Sequence, residues 1–95
     1  MSLSCAQITY AYQHAPADYR MALRWQYPGV FGGDGFFDLL LKAAAHADLE
    51  NLALIEEAFP AVGEAVRRWK NEPGYSDAVE RWAREHTPAE AEVRQ

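Results

Sequence analysis

One cysteine, Cys5, is all the chain has, so no disulfide can form within it, and that usage fits a reducing, intracellular setting. No apolar run reaches the ~20 residues that a membrane-spanning helix requires. The opening MSLSCAQITYAYQHAP has neither a basic start nor a continuous apolar stretch, so no signal peptide is read there, and a cytoplasmic location is expected. Bases are scarce: 9 Lys and Arg stand against 14 Asp and Glu, a formal net charge of −5 that argues against a nucleic-acid partner. There is no C-x-x-C, no H-E-x-x-H and no acidic loop with EF-hand spacing, so neither a metal nor a cofactor is expected. Gly32-Gly33-Asp34-Gly35 enters a helix as a phosphate cradle would, but the G-K-[ST] of a nucleotide loop is missing. Asp34 would also put a negative charge where the phosphate sits, so this stretch reads as a turn with Asp34 as an N-cap.

What the chain does have is apolar residues, 49% of the total with 13% aromatic, enough to build a core and too many for disorder. Ninety-five residues make one domain. On 75–86, Val79, Trp82, Ala83 and His86 share one face, while Asp77, Glu80, Arg81, Arg84 and Glu85 share the other. Asp77–Arg81 and Glu80–Arg84 are acid-first i,i+4 pairs. Residues 60–70 read the same way, with Pro60 at the helix start and Val62, Ala65, Val66 and Trp69 as the seam. Pro73-Gly74 between them suits the centre of a type II turn. A helix from 34 or 35 to about 47 carries one polar stripe, Asp38, Lys42 and His46, read as facing solvent. Phe36, Phe37, Leu40, Leu41 and Ala44 cover the rest. Asp48 caps a further helix over 49–59, whose main face is Leu49, Leu52, Ile55 and Phe59, with Glu56 interrupting it. Glu56 either reaches out to water or pairs with an arginine, Arg20 and Arg24 being candidates.

The first third is harder to place. Pro16 and Asp18 can start a helix that ends before Pro28-Gly29. It carries two apolar stripes, Tyr19, Leu23 and Tyr27 on one side and Met21 and Trp25 on the other, parted by Arg20 and Arg24. Residues 7–13 alternate as a strand would, yet a lone strand has no partner, so 1–15 is expected to be a helix or an arm. The fold expected is all-α, a compact bundle of four to five short helices over 16–86, with an N-terminal arm over 1–15 and a flexible tail over 87–95.

Catalysis finds little support. His86 sits in a seam near a helix end, where an imidazole packs or caps. His46 with Asp38 and Lys42 is a proton-transfer set in principle and a solvated stripe in the bland reading. His14 lies in a linker. The expected function is a non-enzymatic protein-binding module. Tyr19, Arg20, Met21, Arg24, Trp25, Tyr27 and Phe31, with Tyr10 and Tyr12, concentrate the residue types enriched at interface hot spots. A helix with two opposed stripes can bury one against a small core and offer the other to a protein partner or a second copy, unless the arm folds over it. The acidic stretch 34–58 holds Asp34, Asp38, Asp48, Glu50, Glu56 and Glu57 against Lys42, which makes it a face for a basic partner or a source of solubility. The alternative is a helix-turn-helix-like DNA-binding regulator over 60–86, resting on Arg67, Arg68 and Lys70.

Residues 33–75 read GDGFFDLLLKAAAHADLENLALIEEAFPAVGEAVRRWKNEPGY. The GDGFF opening, the AD-x-EN step, the FP step and the NE-x-G-Y corner resemble small uncharacterised proteins encoded by bacteriophages and other mobile elements. The resemblance covers a little under half the chain, and its motifs fall on helix caps and corners. It implies a prokaryotic or phage cytoplasm, where small acidic proteins act by occupying a host protein's surface, and it carries no activity or site residue with it.

Overall fold

A computed structural model describes residues 3–87, so the expected tail, beyond Thr87, lies outside the described residues. Helices form over Cys5–His14 (α1), Ala17–Gln26 (α2), Pro28–Phe31 (α3), Phe36–His46 (α4), Leu49–Ala58 (α5), Pro60–Asn71 (α6) and Tyr75–His86 (α7), with no strand among the described residues. The all-α expectation holds; the count of four to five does not. The two additions are α3, a single turn begun by Pro28, and α1, which takes the helical of the two forms open to residues 1–15.

α1 is nucleated locally. Ser4 Oγ accepts from Gln7 N at 3.1 Å, and Gln7 Oε1 accepts from Ser4 N at 2.8 Å, a reciprocal cap that satisfies two otherwise orphan donors. Its apolar face is buried at Ile8 and Ala11, so residues 3–14 belong to the globule. Pro16 then excludes Ala15 from helical backbone and turns the chain into α2. The corner between α6 and α7 is as expected: Gly74 has φ 83° and ψ 1°, and Tyr75 N donates to Glu72 O at 3.1 Å. Asp48 caps α5, accepting from Asn51 N at 2.8 Å.

The core is two clusters with α2 between them. Leu23, Ala22, Ile8, Ala11, Val79 and Ala83 bring α1, α2 and α7 together. Met21, Leu41, Leu52, Val62 and Val66 join α2 to α4, α5 and α6. The expectation that α2 can bury only one stripe therefore fails, because α1 and α7 cover the Tyr19–Leu23 side and α4 and α6 cover the Met21 side. Leu49, expected in the main face of α5, is 87% exposed. Side chains tilt toward a helix's N-terminus, so the first residue of a helix projects past its end. Leu52 takes the buried position, with Ile55 and Phe59 partly covered beside it.

Candidate protein-binding surface

The residues expected to meet a partner are dispersed by this arrangement. Tyr19 packs edge-on against Tyr75 at 5.8 Å and Trp82 at 6.2 Å, and Phe31 against Tyr12 at 4.9 Å. Tyr27 is partly buried in the same cluster, and burial pushes its phenol pKa up. Met21 is buried, and Trp25 packs on Trp69 at 5.5 Å over a small apolar cavity. Only Arg20 of the seven is exposed, its guanidinium 4.7 Å from the centre of the Tyr12 ring.

Arg24 has the most constrained role. Its Nε donates to Asp38 Oδ1 at 3.0 Å, one terminal nitrogen donates to Asp38 Oδ2 at 3.2 Å, and the other to the Tyr12 hydroxyl at 3.1 Å. Burial works to lower its pKa, but the bonds to Asp38 and Tyr12 outweigh that and leave it raised. Asp38 is 4% exposed and also accepts from Gly35 N at 3.2 Å, so it caps α4 from within its first turn. Gly35, not Asp34, is the N-cap residue. This corrects the solvent-facing stripe at one of its three members: Asp38 is buried and committed to Arg24, whereas Lys42, which donates to Gly33 O at 3.0 Å, and His46 are exposed as expected.

A second polar node was not anticipated. The Tyr75 hydroxyl donates to Asp18 Oδ2 at 2.8 Å, and Arg68 reaches the same oxygen at 3.1 Å. Burial, then the bond to Asp18, raises the Tyr75 pKa well above the usual phenol value. Tyr75 is buried among apolar side chains, so this node fastens α2 to α6 and α7. Residues 18 and 75 are too far apart in sequence for periodicity to pair them.

Drawing Asp38 inward fixes the rotation of α4. Asp38, Leu41 and Ala44 are its buried positions, so Phe36 (64% exposed) and Leu39 (53%) face out. Phe36 meets Phe37 at 5.3 Å and Phe59 at 5.6 Å, which makes an aromatic cluster where the start of α4 meets the end of α5. Of the six large apolar side chains that are exposed among the described residues, five, Phe36, Phe37, Leu39, Leu49 and Leu54, belong to α4 and α5. A groove of about 320 Å³ adjoins the cluster, lined by Tyr12, Arg20, Met21, Phe37, Phe59 and Pro60 among others. Contiguous apolar surface of this kind marks interaction sites in globular proteins.

Arg67 and Arg68, on which the DNA-binding alternative chiefly rests, are held by carboxylates. Arg67 pairs with Glu56 through bonds of 2.9 and 3.1 Å, which resolves the question of Glu56 and excludes Arg20 and Arg24 as its partners. Arg68 lies near Asp18, Glu64 and Glu72 at once. On α7, Glu80 and Arg84 pair at 2.6 Å, whereas Asp77 and Arg81 do not meet. His86 stacks on Trp82 at 4.3 Å and its Nδ1 lies 2.9 Å from Trp82 O. No helix among the described residues is long and apolar enough to cross a membrane. No protein-family model, curated protein or solved structure matches the chain.

Proposed function

We propose that the protein is a small non-enzymatic protein-binding module, of phage or mobile-element type, that acts by covering a partner's surface. The observation that carries this reading is the pair of exposed rings, Phe36 and Phe37, packed with the partly buried Phe59 beside an apolar groove. A 95-residue chain has little apolar surface to spare, and here it leaves two aromatic rings exposed together, in contact with the partly buried Phe59. Rigid aromatic side chains give large contact area at low entropic cost and dominate binding energy at interfaces. Of the seven residues of interface type expected to meet a partner, Arg20 and Met21 border that groove, while the others serve packing. The DNA-binding alternative has less to rest on, since Arg67 and Arg68 are already engaged by carboxylates.

The test is cross-linking of the full chain in host cells, wild type against Phe36→Ser/Phe37→Ser, with a thermal melt of each. The expected result is a discrete cross-linked species that the variant loses while its melting point stays within a few degrees of wild type. Identical cross-linking by both, or none by either, would overturn the reading.

A further inference from the structure

We infer that the α4–α5 face and its groove receive a basic amphipathic helix of another protein, an assignment that rests on the protein-binding reading above. Shape comes first. The exposed apolar side chains are Phe36, Phe37 and Leu39 on α4 and Leu49 and Leu54 on α5, and Phe37 joins them to the groove that Tyr12, Met21, Phe59 and Pro60 also line. Apolar grooves between helices are filled by the apolar stripe of an incoming helix, read as anchors at i, i+3 or i+4 and i+7.

Charge selects among the possible occupants. Glu56 is neutralised by Arg67 and Asp38 by Arg24. Residues 34–58 then keep four exposed acids outside any ion pair, Asp34, Asp48, Glu50 and Glu57, against one exposed base, Lys42, a surplus of three negative charges. Asp34 and Glu57 each lie two residues from an aromatic of the cluster, Phe36 and Phe59. A second copy of the chain would meet this face with itself in a two-fold dimer and set that surplus against its equal. A partner carrying Lys or Arg beside its apolar stripe meets it with complementary charge, which speeds association and rejects acidic competitors. Arg20, the one charged residue lining the groove, lies over the Tyr12 ring, so the surplus of acid sits outside the groove's lining and would meet the flanks of an incoming helix.

The experiment titrates the full chain into a fluorescein-labelled Leu/Lys amphipathic peptide of about 18 residues, roughly five helical turns. A Leu/Glu peptide of the same pattern serves as control, read by anisotropy. The expected result is saturable binding of the Leu/Lys peptide alone, weakened about tenfold or more in Phe36→Ser/Phe37→Ser. Asp34→Asn/Glu57→Gln, both exposed and so safe for the fold, should weaken it severalfold and flatten its salt dependence. Binding of the Leu/Glu peptide, or Leu/Lys binding that ignores the phenylalanines, overturns the inference. So does a wild-type dimer by light scattering that Phe36→Ser/Phe37→Ser dissociates. If cellular cross-linking depends on Phe36 and Phe37 but the Leu/Lys peptide does not bind, the basic helix is wrong and the protein-binding reading stands. If neither occurs, both fall.

Discussion

Gly63 lies where α5 and α6 cross, and a Cβ built on it would stand 2.3 Å from Glu56 Cβ and 2.5 Å from its Cα. Backbone is in the way, so a helix must move. Gly63→Ala should cost about 1–3 kcal/mol, seen as a lower urea midpoint at unchanged slope. Arg24 and Asp38 show the same dependence through charge. Arg24→Met strands a buried carboxylate and should cost about 3–5 kcal/mol, whereas Arg24→Met/Asp38→Leu should cost clearly less. The check is a double-mutant cycle by chemical denaturation. Tyr75 sets a pH dependence. Its phenol pKa is raised in the folded protein, so above the unfolded value of about 10 the unfolded chain loses the proton and the folded one keeps it. Stability from this group is full below about pH 10 and falls as pH rises toward the folded pKa. Melting points should therefore drop on the alkaline side, and Tyr75→Phe should shed part of that slope. The need for Gly at 63 and the Asp18–Tyr75 bond were not legible in the sequence, because each depends on a neighbour that periodicity does not identify.

Elements differed in how openly the sequence declared them. α6 and α7 were legible because nearly every polar residue lies on one face and Pro73-Gly74 fits one turn type. α5 was legible in extent through Asp48 and Pro60, but Leu49 was misplaced because a face drawn on a helical wheel ignores where the helix ends. α1 had a signal that an alternation of Ile8, Tyr10 and Tyr12 obscured: Ser4 and Gln7 are three apart, the spacing of a reciprocal cap. α4 was read correctly at Leu41, Lys42, Ala44 and His46 and wrongly at Asp38 and Phe36. Asp38, Lys42 and His46 share a face by spacing, yet Asp38 is drawn inward by an arginine fourteen residues away. α2 is the element on which both clusters depend. Leu23 is fully buried, and Leu23→Ala should cost about 2–5 kcal/mol. Trp25→Ala, which removes the ring packed on Trp69, should melt lower with no change of mass in solution, as light scattering coupled to size exclusion would report.

Across the whole molecule, the two clusters share α2 and so should unfold together. In Trp25→Phe/Trp69→Phe, fluorescence reports Trp82 in the first cluster; in Trp82→Phe it reports Trp25 and Trp69 in the second. Each variant's fluorescence melt should coincide with its own far-UV circular dichroism melt. Composition and local spacing by themselves determined the all-helical class, the bounds of α5, α6 and α7, the corner at Pro73-Gly74 and the acidity of residues 34–58. All of these depend on interactions within a few residues or on summed charge. Tertiary structure alone decided that α2 is covered on both sides, that Arg24 takes Asp38 and Arg67 takes Glu56, and that Phe36 and Leu39 are left facing outward. Those outcomes follow from which helix lies beside which, and a periodic pattern gives the width of an apolar face without naming what will cover it.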